Sequence, residues 1–129
     1  MEHRFELRVY YEDTDLAGIV YYANYLKFIE RARTEFIRDL GFDQVELKEK
    51  HDIVFAVRRV EADYLKPAKF DDQLTVFTQP KAITGARLVL LQVVKRGAET
   101  LFSSTVTLVA LRANGRPARL PANIRSEFQ

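Results

Sequence analysis

The sequence contains no cysteine, which excludes disulfides, thiolate nucleophiles and thiolate metal sites together. It has no tryptophan and only two histidines, His3 and His51, too few for a multi-histidine metal site. No metal is expected. No apolar run approaches the roughly 20 residues that a membrane-spanning helix requires. The opening "MEHRFELRVYYED" carries charges throughout and has no apolar stretch of the kind a secretory signal needs. No membrane span and a cytoplasmic location are therefore expected. A strongly cationic stripe is missing too: 20 Lys and Arg residues are set against 18 Asp and Glu, mixed along the chain. Nucleic acid is accordingly not expected as a partner. The mild basic balance suits a phosphate-bearing small molecule equally well.

What is present is the composition of a folded globular chain, 47% hydrophobic and 29% charged over 129 residues. That length fits one domain spanning 1–129 with one core. Residues 4–11 alternate as a strand, with Phe5, Leu7 and Val9 on one side. Tyr25, Phe28, Ile29, Ala32, Phe36, Ile37 and Leu40 recur at helical spacing, and Gly41 follows as a helix stop. The spacing predicts a helix over about residues 22–40. Beyond residue 52 the chain reads as strands: "IVFAVRRVEADYL", "DQLTVFTQPK" cut by Pro80, "ARLVLLQVVKR" and "ETLFSSTVTLVALR". Short connections imply an antiparallel meander. The fold class is α+β, a curved antiparallel sheet packed around one long helix. Leu88, Leu90 and Val94 alternate with Val89, Leu91 and Val93, so both faces of that strand are apolar. A second wet apolar face points to a homo-oligomer.

The stretch "YYEDTDLAGIVYYANY" places Asp15 just ahead of the apolar run Ile19-Val20-Tyr21-Tyr22, with Gly18 between them. A carboxylate upstream of a helix N-terminus faces free N–H donors. Such donors hold a carbonyl oxygen as charge develops on it, while the acid attacks the carbonyl carbon or activates a water. The pairing suits acyl transfer from an activated ester. The apolar run would contact the acyl chain and lower the dielectric around the acid. Capping of the helix by Asp13, Thr14 or Asp15 is the alternative, and the residues alone leave both open.

"RVYYEDTDLAGIVYYANYLKFIERARTEF", "DYLKPAKFDDQLTV" and "RPARLPANIRSEF" together resemble the hotdog-fold thioesterases of the 4-hydroxybenzoyl-CoA thioesterase family. The resemblance is closest to the YbgC-like, Tol-Pal-associated acyl-CoA thioesterase branch. It implies a hotdog fold, in which a curved antiparallel sheet wraps one long central helix. It implies acyl-CoA hydrolysis with Asp15 as nucleophile or general base. It assigns the backbone N–H of Tyr22 to the thioester carbonyl, and Gly18, Ile19, Val20, Tyr21, Asn24 and Tyr25 to the substrate site. No cofactor is implied, since coenzyme A enters as part of the substrate; acyl carrier protein is an alternative donor. A homodimer or homotetramer is implied, with the site formed between subunits. Many members of the branch carry histidine where this chain has Tyr22, which leaves acyl preference open. The competing reading is a non-catalytic hotdog module that binds acyl-CoA or acyl carrier protein. A hydratase of this fold needs a histidine near the motif, and neither His3 nor His51 is there. The helical carboxylates Glu30 and Glu35 stand among arginines, where ion pairing is the expected duty. Arg58, Arg59, Lys66, Lys69, Arg112 and Arg116 are candidates for the phosphates of coenzyme A, with Arg87, Lys95 and Arg96 as competitors.

Overall fold

The computed structural model describes residues 2–127; Phe128, which ends the C-terminal motif, lies outside the described residues. Among the described residues there are five strands: β1 (His3–Arg8), β2 (Val54–Tyr64), β3 (Gln73–Thr84), β4 (Arg87–Arg96) and β5 (Glu99–Leu111). They form one antiparallel sheet in the order β1-β3-β4-β5-β2. Only β3-β4-β5 is a meander, which corrects the simple meander expected. The chain between β1 and β2 carries two helices, α1 (Asn24–Asp39) and α2 (Gln44–His51), and so delivers β2 to the far edge of the sheet. A third helix, α3 (Ala122–Glu127), follows β5.

Helix α1 begins two residues later than its periodicity suggests, and nothing caps it: Ala23 occupies the N-cap without a side-chain hydrogen bond. Capping by Asp13, Thr14 or Asp15 therefore does not occur. A cap contributes about 1 kcal/mol, whereas burying each of Phe28, Ile29 and Phe36 contributes about 1.5–3 kcal/mol. Burial of that apolar face against β1 and β3 is what holds the helix. The short α2 is the converse case. It buries only Leu47, but Asp43 accepts from the N–H groups of Val45 and Glu46, and Asp52 closes it in the left-handed region at φ 53°. His51 ends this helix. His3 lies in β1, where Nε2 is 2.8 Å from Asp39 and the ring packs on Phe36.

Leu88, Leu90 and Val94 of β4 are buried in the core with α1, while Val89, Leu91 and Val93 remain half-buried on the opposite face. Pro80 does not end its strand. β3 runs on to Thr84 through a bulge between Pro80 and Ala82, at a point β1 does not reach, so the missing proline N–H breaks no ladder. Under α1 the core face holds a polar row that the strand pattern conceals. Gln92 of β4 donates to the Ile29 carbonyl and to Thr78 at 2.9 Å each, and accepts from Arg33 at 3.0 Å. Ser104 donates to the Gln92 carbonyl. Every member is partnered, so the row costs little and fixes the helix against the sheet.

Candidate active site

Residues 13–21 form a small two-stranded ribbon between a 3-10 turn (Tyr11–Asp13) and α1. The Tyr21 N–H donates to the Asp13 carbonyl at 2.8 Å, Thr14 bridges Val20, and the Asp15 N–H donates to the Ile19 carbonyl at 3.0 Å. Asp15–Gly18 is the turn that closes it, with Gly18 N–H bonded to the Asp15 carbonyl. Gly18 has φ 81°, and a Cβ there would meet nothing within 4 Å. The glycine is thus required by left-handed backbone rather than by close packing.

Asp15 is exposed at the turn, not enclosed by the apolar run that follows it. One carboxylate oxygen accepts from the Ala17 N–H at 2.9 Å. Asp13 is the buried acid, 5% exposed: its two oxygens accept from the Tyr10 N–H at 2.8 Å and from Asn24 Nδ2 at 3.0 Å. Tyr22 is the second residue of a turn from Tyr21 to Asn24, closed by the Asn24 N–H on the Tyr21 carbonyl at 2.8 Å. Among the described residues no acceptor meets the Tyr22 N–H, as expected of a central turn position. Because the Tyr21 carbonyl belongs to the same peptide unit, the bond it accepts polarises that free N–H.

A cavity of about 300 Å³ lies beside this turn, lined by Ile19, Val20, Tyr22, Tyr25, Tyr64, Leu65, Lys66 and Pro67. Of the residues expected at the site, Ile19, Val20, Tyr22 and Tyr25 line it. Asp15, Gly18, Tyr21 and Asn24 do not, and Asn24 is 8% exposed with its amide spent on Asp13. Tyr64 was not singled out from sequence. It ends β2, donates its hydroxyl to the Tyr22 carbonyl at 3.1 Å, and sets its ring against Tyr22, Tyr25 and Phe102. The bulge at Leu101 supplies the neighbouring wall, its carbonyl accepting from both Leu65 and Lys66.

Tyr25 is almost fully buried and stacks on Phe102 at 5.1 Å. Burial raises its phenol above the ordinary value, partly opposed by the Ala68 N–H, which it accepts at 3.1 Å. It is neutral at all working pH values. Tyr25→Phe should lower the unfolding free energy by about 1–3 kcal/mol, because it strands a buried amide donor. Urea unfolding measures this, and unchanged stability would show that the bond contributes nothing.

The segment behind the cavity is clasped by Arg96, which donates to Asp72 at 2.7 Å and to the Pro67 carbonyl at 3.3 Å. Glu99 pairs with both Arg96 and Lys66, so these two cations, considered for coenzyme A phosphates, already have carboxylate partners; Arg59 likewise pairs with Glu61. Burial alone would raise the Asp72 carboxyl, but the Lys69 N–H and the Arg96 guanidinium outweigh it and hold the group below its ordinary value. A depressed carboxylate stabilises the fold above its unfolded pKa of about 3.9, and that contribution is lost as pH falls through the folded value. Melting temperature should therefore fall on acidification less steeply in Asp72→Asn than in the native chain. Parallel acid profiles would rule the clasp out as a source of pH dependence.

Residues 17–103 match the thioesterase superfamily. The chain belongs to that superfamily. The match takes in the Gly18–Tyr25 segment and the cavity wall at 64–67, and begins two residues after Asp15. Among curated relatives, the acyl-CoA thioesterase YbgC of Haemophilus influenzae is 39% identical over 96% of this chain and 92% of its own length. The acyl-CoA thioester hydrolase YbgC of Escherichia coli is 38% identical over 98% of this chain and 95% of its own. A probable thioesterase from Bartonella henselae superposes with a TM-score of 0.90 at 38% identity, covering 94% of this chain and 100% of that one. A hotdog-type thioesterase fold, with a five-stranded antiparallel sheet and helices, is what this superfamily member adopts.

Proposed function

We propose that the protein hydrolyses acyl-CoA thioesters to a free carboxylic acid and coenzyme A. The observation that carries this reading is the Tyr22 N–H, without an acceptor among the described residues, on a residue that lines an apolar cavity beside a ribbon that turns at Asp15. The acyl group enters between Tyr22, Tyr25 and Tyr64, and the thioester carbonyl oxygen accepts from the Tyr22 N–H. In the general-base route Asp15 takes a proton from water as the water oxygen bonds to the carbonyl carbon. The electron pair pushed onto oxygen is held by the Tyr22 donor. It then re-forms the carbonyl, breaking the carbon–sulfur bond and releasing coenzyme A as thiolate, which takes up the proton. In the nucleophilic route an Asp15 oxygen bonds to the carbonyl carbon, and the carbon–sulfur bond breaks to release coenzyme A as thiolate. Water then cleaves the resulting anhydride, regenerating the Asp15 carboxylate and giving up a proton that the thiolate takes. Similarity to the two YbgC relatives supports this activity and the donor class.

The unit spans 1–129 as one hotdog domain with α1 as its central helix, acting in the cytoplasm. Asp15 is open to solvent in a single chain, and β2 is an edge strand exposing Val57 and Val60. A second copy of the chain paired in a homodimer or tetramer accounts for both, closing the site and lowering the dielectric around the acid. Coenzyme A release from short-chain, long-chain and aromatic acyl-CoAs, followed by thiol detection, tests the activity. Turnover of any of them supports it. Binding without release favours the non-catalytic module, and neither binding nor release sinks both.

A further inference from the structure

We infer that Asn24 and Asp13 are a pair of positioning residues: one buried side-chain bond sets the catalytic aspartate and the oxyanion donor in register. The inference rests on the roles proposed for Asp15 and Tyr22. Asn24 is the first residue of α1 and Asp13 stands at the root of the ribbon. Each lies two residues from the group it would place, Asp13 from Asp15 and Asn24 from Tyr22. Both are buried, at 5% and 8% exposed, and the Asn24 amide is 3.0 Å from the Asp13 carboxylate. The other carboxylate oxygen holds the Tyr10 N–H, and the Asp13 carbonyl holds the Tyr21 N–H. Asp13 thus binds the segment leading into the 3-10 turn, the ribbon's return and the helix start.

The burial has a chemical consequence. A buried carboxylate is tolerated only while its acceptors are filled, so losing the Asn24 donor loosens the ribbon against the turn and leaves the Tyr21 N–H on the Asp13 carbonyl as the tie between them. Asp15 is exposed and its own contact, to Ala17, lies within the turn. Nothing in that contact fixes it relative to Tyr22. A displacement of about 1 Å between reacting groups can cost around 100-fold in rate. Asn24 is therefore assigned away from the substrate, since it is buried, its amide nitrogen donates to Asp13 and it lines no part of the cavity.

Two variants test this. Asn24→Leu keeps the branching at Cγ and removes the donor. The exchange Asp13→Asn with Asn24→Asp restores the pair reversed: the amide introduced at position 13 accepts from the Tyr10 N–H through its oxygen and donates through its nitrogen to the carboxylate introduced at position 24. Asn24→Leu should lower kcat about 10- to 100-fold with KM within about twofold of native, and the exchange should recover most of the loss. A raised KM at unchanged kcat would mean that Asn24 touches the substrate, and full kcat in a folded Asn24→Leu, or no recovery in a folded exchange variant, would equally overturn the pair. Should Asn24→Leu fail to fold, Asn24→Asp decides. Two facing carboxylates can share one proton, so its activity relative to native should rise as pH is lowered, and a flat ratio counts against the pair. Should the native protein release no coenzyme A, the proposed function fails, but the pair is still read from the backbone amide resonances of Ala17 and Tyr22. These should shift in Asn24→Leu and return in the exchange; unmoved resonances reject it.

Discussion

Replacing Asp15 by asparagine should reduce kcat for acyl-CoA hydrolysis by about 10²–10⁴-fold, the range that a positioned acid or base contributes. The change is nearly isosteric and leaves the turn intact. Asparagine keeps a side-chain oxygen able to accept from the Ala17 N–H, which is the contact the Asp15 carboxylate makes. Because Asp15 is exposed and buries no partner, the thermal midpoint should stay with that of the native chain. What disappears is the negative charge, and with it both the base and the nucleophile. KM should hold, since the cavity is lined by Ile19, Val20, Tyr22, Tyr25 and residues 64–67 and not by the acid. Initial rates of thiol release, paired with a melting curve, measure all three quantities. An undiminished kcat would remove Asp15 from the chemistry and make Glu30 the next acid to change; it lies on α1 and accepts from Thr34.

How much of this arrangement could be read beforehand depended on which force made each element. α1 was legible because burial makes it: Phe28, Ile29, Ala32, Phe36 and Ile37 repeat at the helical period, and each is at most 3% exposed. α2 was not, because it is made by caps. Asp43 and Asp52 look like loop residues until both are seen to end the same turn of chain. Pro80 suggested a strand end, and the bulge that accommodates it leaves no trace in a hydrophobic pattern. Thr78, Gln92 and Ser104 each mimic a solvent-facing position, yet they are opposite one another on adjacent strands. Their burial is visible only through register.

The site divides in the same way. Ile19, Val20 and Tyr22 belong to one apolar run and Tyr25 is added by the family resemblance; all four line the cavity. Tyr64, Leu65 and Pro67 come from the end of β2, some forty residues on, and reach the cavity because β2 pairs with β5 at the far edge of the sheet. The signal that could have found them is the aromatic at the last strand position followed shortly by a proline-ended turn, which is weak alone. Asn24, which the family resemblance implies for the substrate site, is buried and bonded to Asp13, neither of which local sequence reveals.

Tyr22→Pro should lower kcat a further 10²–10³-fold or so beyond Tyr22→Ala, the cost of losing one oxyanion donor. Alanine removes the ring from the cavity and keeps the N–H; proline removes both. The comparison therefore isolates the backbone donor from the aromatic wall. Proline fits the geometry. Tyr22 is the second residue of the turn closed between Tyr21 and Asn24, and Ala23 follows in the right-handed region at φ −70° and ψ −20°. The second turn position favours the proline φ, and proline just ahead of a helix breaks no intrahelical bond. Since the Tyr22 N–H has no acceptor among the described residues, no internal hydrogen bond is lost either. Stability should thus be nearly unchanged while the rate collapses. Should Tyr22→Pro turn over as fast as Tyr22→Ala, with both folded, the carbonyl is polarised by some other donor, and the free N–H at the cavity mouth is only a consequence of the turn.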